Sequence, residues 1–587
     1  MSGIFPAIYK YFAPFLILIF LGTGTTYAGP ERHDEQNFPE VAADQVTFAT
    51  EESILTLDLL AKATPDECYD GIGIAYPPGP PCSQGVPKVN QAYVWGLTKA
   101  GENLWFGTAP NVHCQVIGGY LGVYLPHETD SWVCEFGDSQ YSPPLPEAIG
   151  DWRPPHIYVY NLPTRTLTEK SPANNPRFGS TAGLRSAGSL GNLVFLAGPS
   201  LLGGINLFAY DNSSGAYLGS ANLPDYNNIR KWLVVEGVLY TAVRHVDGSG
   251  KVLRWTGDTN NLFQFEVVGN LESDGAELAL HDGRLYVSTW PYLGSTPVRL
   301  AGVFMSPPIP TGGLTAQQSD GWLKVWQSSD YEADPVTAAT YGGGALASFD
   351  GYLYWGSMHV PFLAAIAHFN VYGTPDTQAG VLTGILGSHR AISIFRGRDF
   401  GTPDEVVELL YGDTWLTVYE YDPVSSSGNW TLKRNNMQTS ALWGNSGFDN
   451  FYNNYTWTMA VYEGQLYVGT MDYSYLFEEG VWLLLEYLLG ISPGNDLGEQ
   501  FPLPLNPGAD LYRFPSASEA AVAESLDGVD NYSNYGVRTM VSEEALYLGS
   551  ANPMNLMTDL SDELPEGGWE LIRLYSDKPV YLPMVVR

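Results

Sequence analysis

Gly283-Arg284-Leu285-Tyr286-Val287-Ser288-Thr289 is the clearest copy of a phrase that recurs along the chain. It opens on a small or polar residue, continues with Leu, an aromatic and a β-former, and closes on a Gly or small residue with Thr or Ser. Other copies are Asn103-Leu104-Trp105-Phe106-Gly107-Thr108, Gly237-Val238-Leu239-Tyr240, Gly351-Tyr352-Leu353-Tyr354-Trp355-Gly356-Ser357, Gly464-Gln465-Leu466-Tyr467-Val468-Gly469-Thr470 and Ala545-Leu546-Tyr547-Leu548-Gly549-Ser550. A weaker one is Gly191-Asn192-Leu193-Val194-Phe195. In the cleanest stretch the Leu returns after about 46 residues (Leu193, Leu239, Leu285), the length of one four-stranded unit.

A repeated turn-plus-strand phrase of this kind predicts an all-β, seven-bladed β-propeller with loop insertions. The Gly before Leu suits a tight hairpin turn, and the apolar-aromatic alternation suits the space between neighbouring sheets. In the sixth copy, 457–462 reads as an inner strand, 466–469 as the second and 509–514 as the third. Comparable third strands are expected at 206–210, 251–255 and 569–574.

Ring closure requires a strand from the far terminus, since an open edge invites pairing with another chain. Residues 46–48, 54–57 and the C-terminal 580–586 are the candidates. Insertions are expected after His113, from 373 to 433 with an added strand pair (391–396 with 415–421), and from 473 to 507 with a short helix near 481–489.

Residues 1–28 read as a signal peptide, with Lys10 ahead of an apolar run and Thr26-Tyr27-Ala28 as the cleavage site. Residues 29–90 form an N-terminal segment that holds the ring-closing candidates, and 91–587 the propeller. No later run is long and apolar enough to span a membrane. The export reading predicts a secreted or periplasmic monomer. Cys68, Cys82, Cys114 and Cys134 are the only cysteines, and an even, clustered set in an exported chain reads as two disulfides with three connectivities open. The formal charge of −35 argues against nucleic acid or an anionic membrane as partner.

The last unit, Tyr535-Gly536-Val537-Arg538-Thr539-Met540-Val541 with Leu546 to Asn555 and Gly567-Gly568-Trp569-Glu570, resembles a family of exported bacterial seven-bladed propellers of unassigned function. The phrase is also similar to the blades of regulator-type and Kelch-like propellers. The resemblance implies the fold and carries over no catalytic residue.

In a propeller, residues just before the first strand of a blade and just after the second ring the mouth of the central channel. The first position holds Arg185, Arg230 with Lys231, Glu277, Trp457 and Arg538. The second holds His113, His245, Trp290, His359 and Asp472 with Tyr473. The arginines suit a carboxylate, sulfate or phosphate, and Trp290, Trp457 and Tyr473 offer faces for a ring.

The expected function is therefore binding of an anionic or glycan-like ligand, with another extracellular protein as a further partner class. A lyase or hydrolase on acidic polysaccharide, a metal-dependent oxidoreductase and a surface structural protein are the alternatives. No motif requires a cofactor. His113, His245 and His359 form a transition-metal alternative, and Asp527-Gly528-Val529-Asp530-Asn531 a weak Ca²⁺ one that reads more simply as a turn.

Overall fold

Each copy of the phrase becomes the second strand of an antiparallel hairpin. Glu236-Gly237, Asp282-Gly283, Asp350-Gly351 and Glu463-Gly464 turn four of these hairpins with positive φ at both residues, which matches the turn to the right-handed twist of the flanking strands. The computed structural model describes residues 55–121, 124–140, 150–425, 427–476, 507–558 and 566–576.

From these hairpins grow four-stranded antiparallel units. The first joins Gln91–Ala100, Asn103–Pro110, Ile157–Asn161 and Thr166–Glu169. The second joins Ser186–Leu190, Leu193–Pro199, Ile205–Asp211 and Tyr217–Leu223. The third runs Tyr226–Val235, Val238–His245, Gly250–Trp255 and Phe265–Leu271. The fourth runs Asp274–His281, Arg284–Trp290, Gly302–Met305 and Leu323–Gln327.

The fifth comprises Gly342–Phe349, Tyr352–Met358, Ile394–Arg398 and Val406–Tyr411. The sixth comprises Asn453–Tyr462, Gln465–Asp472, Leu511–Phe514 and Val522–Ser525. The last takes Gly536–Ser542, Leu546–Ala551 and Glu570–Tyr575 from the C-terminal part and Thr56–Lys62 from the other end of the chain. The first strand of each unit packs beside the first strand of the next, and the cycle returns from Gly536–Ser542 to Gln91–Ala100. The arrangement is all-β and propeller-like.

The phrase is explained position by position. Its aromatics are fully buried between units, as at Trp105, Tyr240, Tyr286, Trp355, Tyr467 and Tyr547. Each such side chain contributes about 1.5–3 kcal/mol of hydrophobic stabilisation. Its late Gly lets the second strand approach the next unit: a Cβ on Gly469 would stand 2.7 Å from Cβ of Val537. The closing Thr or Ser clips the third strand, whose entering N–H donates to the hydroxyl. His156 donates to Thr108, Gly302 to Thr289, Ser393 to Ser357, Asp510 to Thr470 and Glu570 to Ser550, at 2.7–2.9 Å.

Several expectations change. The closing strand overlaps the 54–57 candidate only at its start, while 46–48 and 580–586 lie outside the described residues, as do 1–28. The segments 391–396 and 415–421 do not pair with each other. Ile394–Arg398 is the third strand of its own unit, and Trp415–Asp422 pairs with Ser427–Arg434 in a separate hairpin, because the intervening strand Val406–Tyr411 occupies that edge. This insertion also carries the helix Gln378–Ser388, and a further helix, Leu363–Tyr372, directly precedes it. The helix expected near 481–489 lies outside the described residues. Disulfides join Cys68 to Cys82 and Cys114 to Cys134. Among the described residues no helix is long and apolar enough to cross a membrane.

Candidate functional site

The innermost strands share a break in their pairing. Register slips past Trp95, past Arg230 and Lys231, past Ala276 and Glu277, past Gly344 and Ala345, past Trp457 and past Arg538. A residue left out of the ladder in this way is re-aimed and the strand bends. In the second unit Arg185 stands immediately before its strand. The slip lies eight or nine residues ahead of the phrase Leu (Trp95 to Leu104, Arg230 to Leu239, Trp457 to Leu466, Arg538 to Leu546). One level of the ring therefore carries Trp95, Arg185, Arg230, Glu277, Trp457 and Arg538.

Two cavities meet at this level. One, about 340 Å³, is lined by the inner strands as they run toward their hairpins and includes Lys99, Lys231, Glu277 and Glu543. The other, about 240 Å³, is an aromatic chamber walled by Tyr93, Trp290, Tyr455, Tyr473 and Tyr535. Trp95, Arg230, Trp457 and Arg538 line both. The chamber is bounded further by Val360-Pro361-Phe362 and by the short helix Val112–Val116, which Cys114–Cys134 ties down.

The arginines lie against indole rings. The guanidinium carbon of Arg230 is 4.2 Å from the Trp290 ring centre, that of Arg185 is 5.4 Å from Trp95, and that of Arg538 is 5.6 Å from Trp457. Trp290 is itself pinned, its N–H donating to Gly343 O at 3.0 Å. Arg185 donates to Asn228 Oδ1 at 2.7 Å, and Asn228 donates on to both carboxylate oxygens of Asp274.

Arg230 and Arg538 differ from Arg185. They are 7% and 5% exposed, yet among the described residues neither makes a hydrogen bond or an ion pair, and the Nε of each is an orphaned buried donor. Burial brings Arg538 down to about 10, Glu277 opposes that shift, and the like charge of Arg230 adds to it.

The expected site residues thus divide. Arg185, Arg230, Trp290, Trp457, Tyr473 and Arg538 line the chamber, while Lys231 and Glu277 line the other cavity beside Arg230 and Arg538. Asp472 lines neither. It is buried, accepts from the Asn450 amide at 2.7 Å and from Ser474 N at 2.7 Å, and sits near Asp510, which the same Asn450 amide reaches at 3.2 Å. The tryptophan faces expected to stack a sugar ring carry guanidinium groups instead.

The three histidines are not brought together. His113 reaches the chamber wall, packed edge-on to Trp132 at 4.9 Å, and burial brings it down to about 4. His245 sits with Nδ1 3.0 Å from Asp247 Oδ1, and His359 Nε2 is 2.8 Å from Ser357 Oγ. His245 ends its strand, His359 directly follows its own, and His113 lies in a short helix beyond its strand, so the three hold different positions. Among the described residues, the one group with metal-ligand proximity is Cys114, Cys134 and Asp151, whose two sulfurs are already bonded to each other. The acidic 527–531 segment is a turn: Asp527 Oδ1 accepts from Ser525 Oγ and from Asp530 N.

Sequence reading missed Trp95, although it lies at the same offset from its phrase as Trp457. It also missed Tyr93 and Tyr455, two residues earlier on their inner strands, and Tyr535, which directly precedes the strand of Arg538.

No protein-family model and no curated protein sequence matches the chain. Among solved structures it is similar to a puromycin-hydrolysing peptidase of Mycobacterium tuberculosis (TM-score 0.38, 8% identity, 78% of this chain and 50% of that one). It is also similar to a mutant Trypanosoma rangeli sialidase displaying trans-sialidase activity (0.31, 8%, 72% and 57%) and to a chain of a mitotic checkpoint complex (0.32, 8%, 72% and 83%). The chain spans half the length of the peptidase. Likeness at this level carries no argument about activity, and the description of the fold rests on the chain's own strand pairing.

Proposed function

We propose that this is an exported, seven-bladed β-propeller that binds an anionic ligand in its channel, between the guanidinium groups of Arg230 and Arg538. The single observation behind this reading is that two arginines, each more than nine-tenths buried, have no hydrogen bond and no direct ion pair among the described residues, Glu277 and Asp274 acting on them only at longer range. A buried guanidinium without direct acceptors has lost its hydrogen bonds with water, so such a pair persists where a ligand supplies acceptors and counter-charge. The guanidinium fork matches a carboxylate, sulfate or phosphate.

The cycle of first strands supports the seven-bladed reading, and the N-terminal pattern with two disulfides, which persist in oxidising compartments, supports export.

The test is thermal unfolding in rising sodium formate at constant ionic strength. Wild type should gain stability as the site fills, and the Arg230→Met/Arg538→Met double variant should not. An equal gain in both proteins would discard the site.

A further inference from the structure

We infer that the ligand is a carboxylate with an apolar, ring-sized body, its head held by Arg230 and Arg538 and its body enclosed in the aromatic chamber. This rests on the anion-binding reading above and goes beyond it in naming the ligand class.

The two cavities that meet at the arginines differ in chemistry. The wider one presents Thr98, Lys99, Ser189, Lys231, Thr458 and Glu543, groups that suit hydrated surroundings. The chamber presents Tyr93, Ile117, Val360, Phe362, Tyr455 and Met471 beside its tryptophans. Among its lining residues there is no Asp, Glu, Asn, Ser or Thr; beyond the arginines its polar groups are His113, the hydroxyls of four ring-packed tyrosines and Gln115, whose amide already donates to Pro110 O at 3.1 Å. A sugar acid would bring several hydroxyls into that space and lose their hydrogen bonds with water, a cost of about 1–3 kcal/mol for each one left unmatched.

Sugar stacking is disfavoured for a second reason. Trp95, Trp290 and Trp457 each carry a guanidinium near the ring, so the indoles act as plates that orient charge. The chamber's edge-on rings, Tyr93 to Trp457 at 5.8 Å and Tyr455 to Trp457 at 5.4 Å, leave an apolar enclosure suited to an aryl or compact alkyl group. A volume of about 240 Å³ accommodates a body of one or two rings.

The experiment is calorimetric titration of the full-length mature protein with sodium acetate, galacturonate, phenylacetate and indole-3-acetate. Wild type and two variants are compared: Arg538→Met, which removes half of the head site, and Val360→Phe, which fills the chamber. The arylacetates should bind at least about 30-fold more tightly than acetate or galacturonate, as expected for burying a ring. Arg538→Met should weaken every carboxylate by a similar factor, and Val360→Phe should weaken the arylacetates by a much larger factor than acetate.

Equal binding of all four, lost in Arg538→Met, would overturn the apolar-body inference and leave the anion site standing. Tighter binding of galacturonate would do the same. No binding of any carboxylate would overturn both.

Discussion

Arg390 and Arg538 are the same residue at nearly the same burial, and their surroundings are opposite. Arg390 is locked to Glu332 by two hydrogen bonds of 2.7 and 3.0 Å, and its remaining N–H groups reach Gly387 O, His389 O and Thr417. Arg153 is satisfied in the same manner by Glu67, Glu135, Ser139 and Tyr76. Arg538, like Arg230, has an indole face and no such partner. This chain surrounds a buried guanidinium with acceptors where the guanidinium holds the fold together. At the junction of the two cavities such acceptors are withheld, and that contrast is what the proposed anion site rests on.

The sharpest way to break this contrast is to remove the satisfied arginine. Arg390→Met would leave Glu332 buried with its counter-charge gone, and should cost about 3–5 kcal/mol in the urea unfolding midpoint. A loss under about 1 kcal/mol would mean that acceptors around a buried arginine are not a mark of structural work in this protein.

The carboxylates extend the comparison. Asp472 and Asp510 are buried like Glu332 but receive amides of Asn450 and Asn453 rather than a cation. Burial raises both, to about 6 and about 7. A carboxyl whose folded pKa exceeds its unfolded value contributes stability that is complete below the unfolded value, near pH 4, and is lost as pH rises through 6 and 7. Asp510→Asn does not titrate. Its stability relative to wild type should therefore improve by about 2 kcal/mol between pH 4.5 and pH 8. A flat difference across that range would show that burial does not raise Asp510.

A smaller effect is expected at the plate. Trp290→Leu keeps the wall apolar but removes the face that orients Arg230. It should weaken carboxylate binding about tenfold, the value of a desolvated cation–π contact, with unfolding changed less than by Arg390→Met. Unchanged affinity would mean that Arg230 is positioned by its strand alone.

Much of this arrangement could be read from the chain itself. The Leu-aromatic phrase marks second strands because its aromatics, its Gly and its closing Thr or Ser each answer a local requirement of the hairpin and its neighbours. Counting back from the phrase found Arg230, Glu277, Trp457 and Arg538, since the slip in register recurs at nearly the same offset, and Arg185, which stands just ahead of its strand. Positions after the second strand gave no such ruler: His245 is still in its strand, His359 directly follows its own, and His113 lies in a short helix. The pairing of Arg230 with Trp290 is contact between separate units, and so is the chamber formed by Tyr93, Tyr455 and Tyr535. The separate hairpin at 415–434 was hidden for a different reason. Strands inside an insertion lack the spacing that identifies a blade.

Residues kept for a ligand contribute little to the empty fold. The most direct measurement is the unfolding free energy, from urea titration, of the Arg230→Met/Arg538→Met double variant without added anion. It should lie within about 1 kcal/mol of wild type, because relief of the repulsion between the two cations offsets the loss of their longer-range attraction to Glu277 and Asp274. A loss of more than about 2 kcal/mol would show that these arginines hold the fold together and would contradict the claim.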